Sequence, residues 1–245
     1  MKRNDLIFRT EEYVRETMAP REGILMVAHD FKHVDRVRNW ALVIARKEGF
    51  TNLEIVEVTA LLHDIGLAGM KEGDQRKGHG PLGAEIAVKF LRDNSSLTTE
   101  DIVWIADVVR YHSSSPSTVE EHLRSLGDKG KLLEIIRDGD NLDALGAVGL
   151  MRAFTAQYYL PEYNPLNIKG DAWALSSVEF RKRFGIGSNE GLAPVNNIID
   201  QINQQIRHYD NLHTRTARNL ATPLVHFMKS FVLQLEHEIA HRAIS

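Results

Sequence analysis

The sequence predicts an all-α protein. Three observations predict it: apolar residues recur at three- and four-residue spacing through most of the chain, no run alternates polar and apolar over six residues, and β-branched residues are scattered within the helical stripes. The first clear element is DFKHVDRVRNWALVIARKEG, where Val34, Val37, Ala41, Ile44 and Ala45 share one stripe. Asp30 is its expected N-cap and Gly49 its stop. TNLEIVEVTALLHDIG follows, with Thr51 and Glu54 at capping-box spacing and Gly66 at its end. PLGAEIAVKFLRDN and TTEDIVWIADVVRYHS read as two more helices, the second capped by Thr98 or Thr99. GKLLEIIRDGDNLDALGAVGLMRAFTAQYY is a long apolar helical pattern interrupted by glycines.

Between Leu160 and Pro194 the pattern dissolves, broken by Pro161, Pro165, Gly170, Gly185, Gly187, Gly191 and Pro194. A stretch of this length without periodicity is expected to be a functional, loop-rich excursion. Helical spacing returns in VNNIIDQINQQIRHYDNL and TARNLATPLVHFMKSFVLQLEHEIAH, where Pro223 predicts a kink or a fresh start. Repeats and low-complexity tracts are absent from the sequence. The expected organisation is a single domain over residues 1–245, with C-terminal helices in 195–243 packing on an N-terminal helical core.

Of the 245 residues, 43% are hydrophobic and 26% charged, enough for a substantial core. The net charge of −3 offers no overall basic field to recruit a nucleic acid polymer, whereas a small phosphorylated substrate needs only a local positive patch. The chain has no cysteine, which excludes disulfides, thiolate zinc sites, iron–sulfur clusters and thiol nucleophiles together. Any metal must therefore sit among histidines and carboxylates. The N-terminal MKRNDLIFRTEEYVRE is charged and lacks the apolar core of a signal peptide, and no run approaches the length of a membrane span. These features set the expectation of a cytoplasmic globular protein with no membrane partner.

Eleven histidines are present, and four stand in a notable order: His33, His63 beside Asp64, His79 and His112, with Asp140 further on. Divalent metals that support phosphoryl chemistry take neutral imidazoles and carboxylates and keep positions open for water and substrate oxygens. His33 lies in a helix whose opposite face is apolar. His63 and Asp64 end a helix dominated by Val58, Ala60, Leu61 and Leu62, and Asp140 sits among core-type residues in IIRDGDNLDALG. Polar groups entering a core need partners. A shared metal satisfies all four at once, and ordinary hydrogen bonds satisfy each singly; spacing alone leaves both readings open.

At these residues the chain resembles the HD-domain metal-dependent phosphohydrolases, in particular their small single-domain bacterial branch. The order His33, His63-Asp64, Asp140 carries the resemblance, together with the strings HVDRVRNWA, ALLHDIG and DGDNLDALGAVGLMRAF. It runs from about Ala28 to Phe154 and continues more weakly through TRTARNLATPLVHFMKSFV. The resemblance implies an HD-type helical bundle with a core of about residues 28–154. It implies His33, His63, Asp64 and Asp140 as ligands of a divalent ion: Mn²⁺, Mg²⁺, or iron, nickel, cobalt or zinc. It favours His33 over His29 as the first ligand, because His33 stands three residues before Arg36-Val37. His29 then falls one turn earlier on the same face, at the pocket mouth, while Asp30 caps the helix. Some branches add histidines and bind a second ion. His79 and His112 occupy comparable places and serve a second metal, a substrate phosphate or water. The string His112-Ser113, where those branches often read His-His, favours one metal over two.

The implied reaction is hydrolysis of a phosphoanhydride or phosphoester of a nucleotide by a metal-activated water, for example release of pyrophosphate from a nucleoside triphosphate. Glu72, His79 and His112 are candidates for proton transfer. The loop GLAGMKEGDQRKGHG supplies Lys71, Arg76 and Lys77, and Arg36 stands on the His33 helix, as candidate phosphate ligands. A homodimer is compatible with this reading. Three alternatives stay open: a di-iron HD-type oxygenase, a non-catalytic nucleotide-binding sensor module, and a phosphodiesterase or monophosphatase with another substrate.

Overall fold

The computed structural model describes residues 5–18, 29–70, 78–184 and 194–242. Among these residues the regular structure is helical, apart from one isolated bridge between Asn164 and Asn167, in agreement with the all-α expectation. No described helix is long and apolar enough to cross a membrane. The chain divides into two compact units, Met1–Asp140 and Asn141–Ser245.

The first unit holds α1 (Asp5–Thr17), α2 (Phe31–Lys47), α3 (Leu53–Leu62), a 3-10 turn (Ile65–Gly69), α4 (His79–Asn94), α5 (Thr99–Tyr111), α6 (Pro116–Leu126) and most of α7 (Gly130–Asp143). α2 packs on α3, α3 on α1 and α5, and α4 on both α5 and the 3-10 turn. The core is built from the stripes read in the sequence: Val34, Val37, Ala41, Ile44 and Ala45 of α2 are fully buried, as are Leu61 and Leu62 of α3.

Local chemistry sets the helix ends. Asp30 accepts from the backbone N–H of His33 at 3.2 Å, and Thr98 accepts from Asp101 at 3.1 Å, as expected for N-caps. The cap of α3 is a correction. Asn52, not Thr51, accepts from the N–H of Ile55 at 3.3 Å, so the first residue of the helix is Leu53 and Glu54 falls one position short of a capping box. α6 had no counterpart in the periodicity, although Ser115 as cap and Pro116 in the first turn mark its start.

The second unit contains α8 (Gly146–Ala156), α9 (Ser177–Phe184), α10 (Ile198–Ile206), a 3-10 turn (Arg207–Asn211) and α11 (Arg215–Arg242). The long glycine-interrupted pattern resolves into α7 and α8, separated at Gly146, whose φ of 68° favours glycine and whose added Cβ would lie 3.0 Å from Leu224. The excursion is more structured than its sequence: it contains α9, whose Phe180 is buried with Ala172 from the preceding turn, and Leu175 and Phe184 pack against them. Nor does Pro223 start a new helix, since α11 runs unbroken from Arg215 to Arg242. A proline forfeits one backbone hydrogen bond, and the buried row Ala217, Ala221, Met228 and Val232 holds the helix through it.

After the α7–α8 break, Arg152 Nη1 donates to Asp143 Oδ2 at 2.6 Å, and the Asp143 side chain is fully buried. Arg152→Met takes the cation away from this carboxylate and is expected to cost about 3 kcal/mol in urea unfolding. A loss below about 1 kcal/mol would mean that the pair does not hold this turn.

Candidate metal centre

Helix ends deliver the polar groups of the first unit to one place. Contrary to the expectation that the apolar face of α2 lies opposite His33, the residue stands on the buried face, one turn before Val37, with no exposed surface. α3 runs through fully buried leucines to His63 at its C-cap, with Asp64 next. α4 begins at His79, and α5 ends with His112 as its C-cap. Glycines permit the close approach: a Cβ on Gly66 would lie 2.0 Å from the His79 carbonyl oxygen, and one on Gly80 2.4 Å from that of Arg110. Only bare backbone lets the turn after Asp64, the start of α4 and the end of α5 meet.

Asp64 is the centre of the cluster and only 3% exposed. Its Oδ2 lies 2.9 Å from His29 Nδ1, 3.4 Å from His33 Nε2 and 3.6 Å from His63 Nε2. Its Oδ1 lies 3.3 Å from His79 Nε2 and 3.2 Å from His112 Nε2. Asp140 Oδ1 stands 3.4 Å from His33 Nε2, and its side chain, 32% exposed, is the one solvent reaches most. The ligand atoms fall into three overlapping groups: His29, His33 and Asp64; His33, His63 and Asp140; Asp64, His79 and His112.

The tautomers follow from the backbone. His63 Nδ1 donates to the Ala60 carbonyl and His112 Nδ1 to the Val109 carbonyl, each at 2.7 Å and each three residues back. In the neutral ring this leaves the Nε2 lone pair facing Asp64, the outer-shell arrangement of metal-ligating imidazoles. His33 Nε2 and His63 Nε2 are 3.4 Å apart, and His79 Nε2 and His112 Nε2 3.2 Å.

Burial pushes the His63 pKa down to about 4 against the opposing pull of Asp64, so this ring is neutral at physiological pH. Burial works to raise the Asp64 pKa. The proximity of His63 and the close imidazoles of His112, His29 and His33 outweigh it and hold the carboxyl well below its ordinary value. Asp140 behaves alike: burial opposes its ionisation, His33 and His63 prevail, and its pKa falls to about 2.

The residues fit a divalent metal. Two carboxylates and several neutral imidazole nitrogens crowd their lone pairs together where little water reaches, and only a cation answers all of them. Ligands held at about 2.1 Å from a common ion stand roughly 3.0–3.4 Å apart, the range in which most of these atoms lie.

The structure thus brings together His33, His63, Asp64, Asp140, His79 and His112. Arg36 lies half-buried on α2, one turn beyond His33. Lys71, Glu72, Arg76 and Lys77 lie outside the described residues. His29, set at the pocket mouth by its register, is bonded to Asp64; its four-residue spacing from His33 was the available signal. Arg137 was missed altogether. It is buried on α7 and donates through Nη1 to the carbonyl of His112. Burial lowers its pKa to about 10 against Asp140 and Asp138.

Residues 30–145 match the HD domain family. The chain is 28% identical over 224 residues to the Bacillus subtilis protein YpgQ, covering 86% of this chain and 84% of that one. It also superposes on the crystal structure of Bacillus subtilis YpgQ in complex with ADP, with a TM-score of 0.60, 22% identity, and 95% and 94% of the two chains covered. An HD-superfamily hydrolase from Bacillus thuringiensis superposes with a TM-score of 0.63 at 20% identity over 95% of each chain.

Two outcomes follow from the geometry. Gly66→Ala drives a methyl group into the His79 carbonyl and is expected to cost about 3 kcal/mol in chemical denaturation while weakening metal binding; wild-type behaviour in both would refute the close approach. The second concerns pH. His63 takes up a proton near 6.5 when unfolded and near 4 when folded, so between these values the unfolded chain binds more protons. Metal-free protein is therefore expected to lose stability on acidification through this window, by up to about 1.4 kcal/mol per pH unit from this group. Unfolding at pH 7 and pH 5 measures the slope, which His63→Asn should reduce.

Proposed function

This chain is an HD-domain protein, and from that premise we propose that it is a metal-dependent phosphohydrolase whose substrate is a nucleotide. The observation that carries the reading is the buried Asp64 carboxylate, with His29, His33 and His63 on one oxygen and His79 and His112 on the other. The similarity to YpgQ, solved in complex with ADP, supports the choice of a nucleotide.

In this reading His33, His63, Asp64 and Asp140 hold one divalent ion, Mn²⁺, Mg²⁺ or another of the first transition series, and Asp64, His79 and His112 offer the place for a second. The bound ion supplies Lewis acidity, polarising a phosphoryl oxygen and making water nucleophilic near neutral pH. Asp64 and Asp140, held as carboxylates, orient the attacking water. Their exposure fits this division, since Asp140 faces the solvent side and Asp64 the interior. When no second ion occupies their group, His79 or His112 would accept a proton at Nε2 from the attacking water and pass it to the departing oxygen. Arg36, Lys71, Arg76 and Lys77 neutralise the phosphate charge that builds during transfer, and Glu72 is a further proton acceptor.

The test is a panel of nucleoside mono-, di- and triphosphates and phosphodiesters, assayed with Mn²⁺, Mg²⁺ and Co²⁺ beside three variants. His33→Ala and Asp140→Ala are expected to lose metal and at least about 100-fold in kcat/KM, whereas His29→Ala, which removes a hydrogen bond to Asp64, weakens metal binding only about 10-fold. Metal loss in His29→Ala with retention in His33→Ala would reverse the ligand assignment. Two irons with oxygen-dependent turnover would make it an oxygenase. Tight nucleotide binding without turnover would make it a sensor.

A further inference from the structure

Arg137 belongs to none of the ligand groups, yet it joins two of them. It stands on α7 three residues before Asp140, on the same side of the helix. Its Nη1 donates to the carbonyl of His112 in a close contact and lies 3.1 Å from the Ser114 carbonyl and 3.4 Å from that of Tyr111. These oxygens lie at and just beyond the C-terminal end of α5, where a cation is favoured, and that of Tyr111 also accepts from the Ser114 N–H at 3.1 Å. As a cap alone, the arrangement is expensive. The side chain is 6% exposed, and its Nε is buried without a hydrogen-bond partner. A helix end is ordinarily closed by a glycine, by water or by an exposed lysine or arginine, none of which buries an orphaned donor.

What the interior placement achieves is a fixed distance. The His112 ring is held on one side by its Nδ1 bond to Val109, and its backbone is held on the other by Arg137. Through the same side chain, α5 is tied to the turn of α7 that carries Asp140. We propose that Arg137 is a positioning residue that locks the Asp64–His79–His112 group to the His33–His63–Asp140 group and so sets the separation of two metal places. The proposal rests on the metal-centre reading above. It assigns Arg137 no contact with substrate or metal; it acts through the His112 backbone. Without it the end of α5 is free to move, and a displacement of about 1 Å suffices to take His112 Nε2 out of reach of an ion shared with Asp64.

The experiment uses full-length, metal-free protein, Arg137→Met and Arg137→Lys, titrated with Mn²⁺ by calorimetry, with the coupling between bound Mn²⁺ ions read by electron paramagnetic resonance. Wild type is expected to bind two equivalents as a coupled pair. Arg137→Met should bind the second roughly 10–100-fold more weakly, with the first within about threefold, and lose the coupled signal. Arg137→Lys should recover part of both, since an ammonium reaches fewer of the three carbonyls. If Arg137→Met unfolds, the Lys variant carries the same comparison. If a variant melts earlier but binds both equivalents as a wild-type coupled pair, Arg137 is a helix cap and the proposal is overturned. If wild type itself binds fewer than two equivalents, the two-place reading fails first, and the proposal falls with it.

Discussion

The buried carboxylate of Asp64 is the constraint on which the first unit depends. A charge with so little access to water needs partners on every lone pair, and here its neighbours are imidazoles from five other positions in the chain. Imidazoles that already donate through Nδ1 to backbone carbonyls bring lone pairs, not protons, to the centre. The assembly is therefore under-supplied with positive charge, a condition that hydrogen bonding within the protein does not relieve. Core packing alone gives no reason to gather these groups, so the cluster reads as a place where local stability yields to chemistry.

The backbone meets that constraint with helix termini. His63 and His112 occupy C-caps and use the carbonyl three residues back as an anchor, so two unrelated helices present the same tautomer in the same way. His79 opens α4, and Asp64 follows directly after α3, where the chain turns. Helix ends suit this task because their backbone groups are unsatisfied and can orient a side chain, while the helix behind them is fixed by its buried stripe. The close passages at Gly66 and Gly80 complete the arrangement: a methyl group at Gly66 would part the Asp64 turn from the start of α4, and one at Gly80 would part the His79 end of α4 from the His112 end of α5.

Much of this was legible in the chain. The order His33, His63-Asp64, Asp140 pointed to side chains that the fold gathers into one cluster, and Asp30 and Thr98 were visible as caps because capping is a matter of two or three adjacent residues. Other features were not. Asn52 displaced Thr51 because both are competent caps one residue apart, and the deciding factor is where the packed face of the helix begins. α9 was hidden among prolines and glycines because eight residues carry too little periodicity, and its apolar side is defined by Phe180 meeting Ala172, outside the helix itself. Pro223 looked like a break because the hydrogen bond it forfeits is a local quantity, whereas the burial that outweighs it is not.

The sequence by itself determined the helical class, the caps that depend on adjacent residues, and the residue types available for a metal: with no cysteine, only imidazoles and carboxylates remained. Tertiary structure alone decided which of the eleven histidines share one carboxylate. It turned His29 from the neighbour of a cap into a partner of Asp64, divided the histidines between the two oxygens of Asp64, and brought Arg137 to the end of α5. The physical reason is range. Periodicity and capping are written over a few residues, whereas a ligand group is a set of distances of about 3 Å between atoms from distant helices, which exists only once those helices have packed.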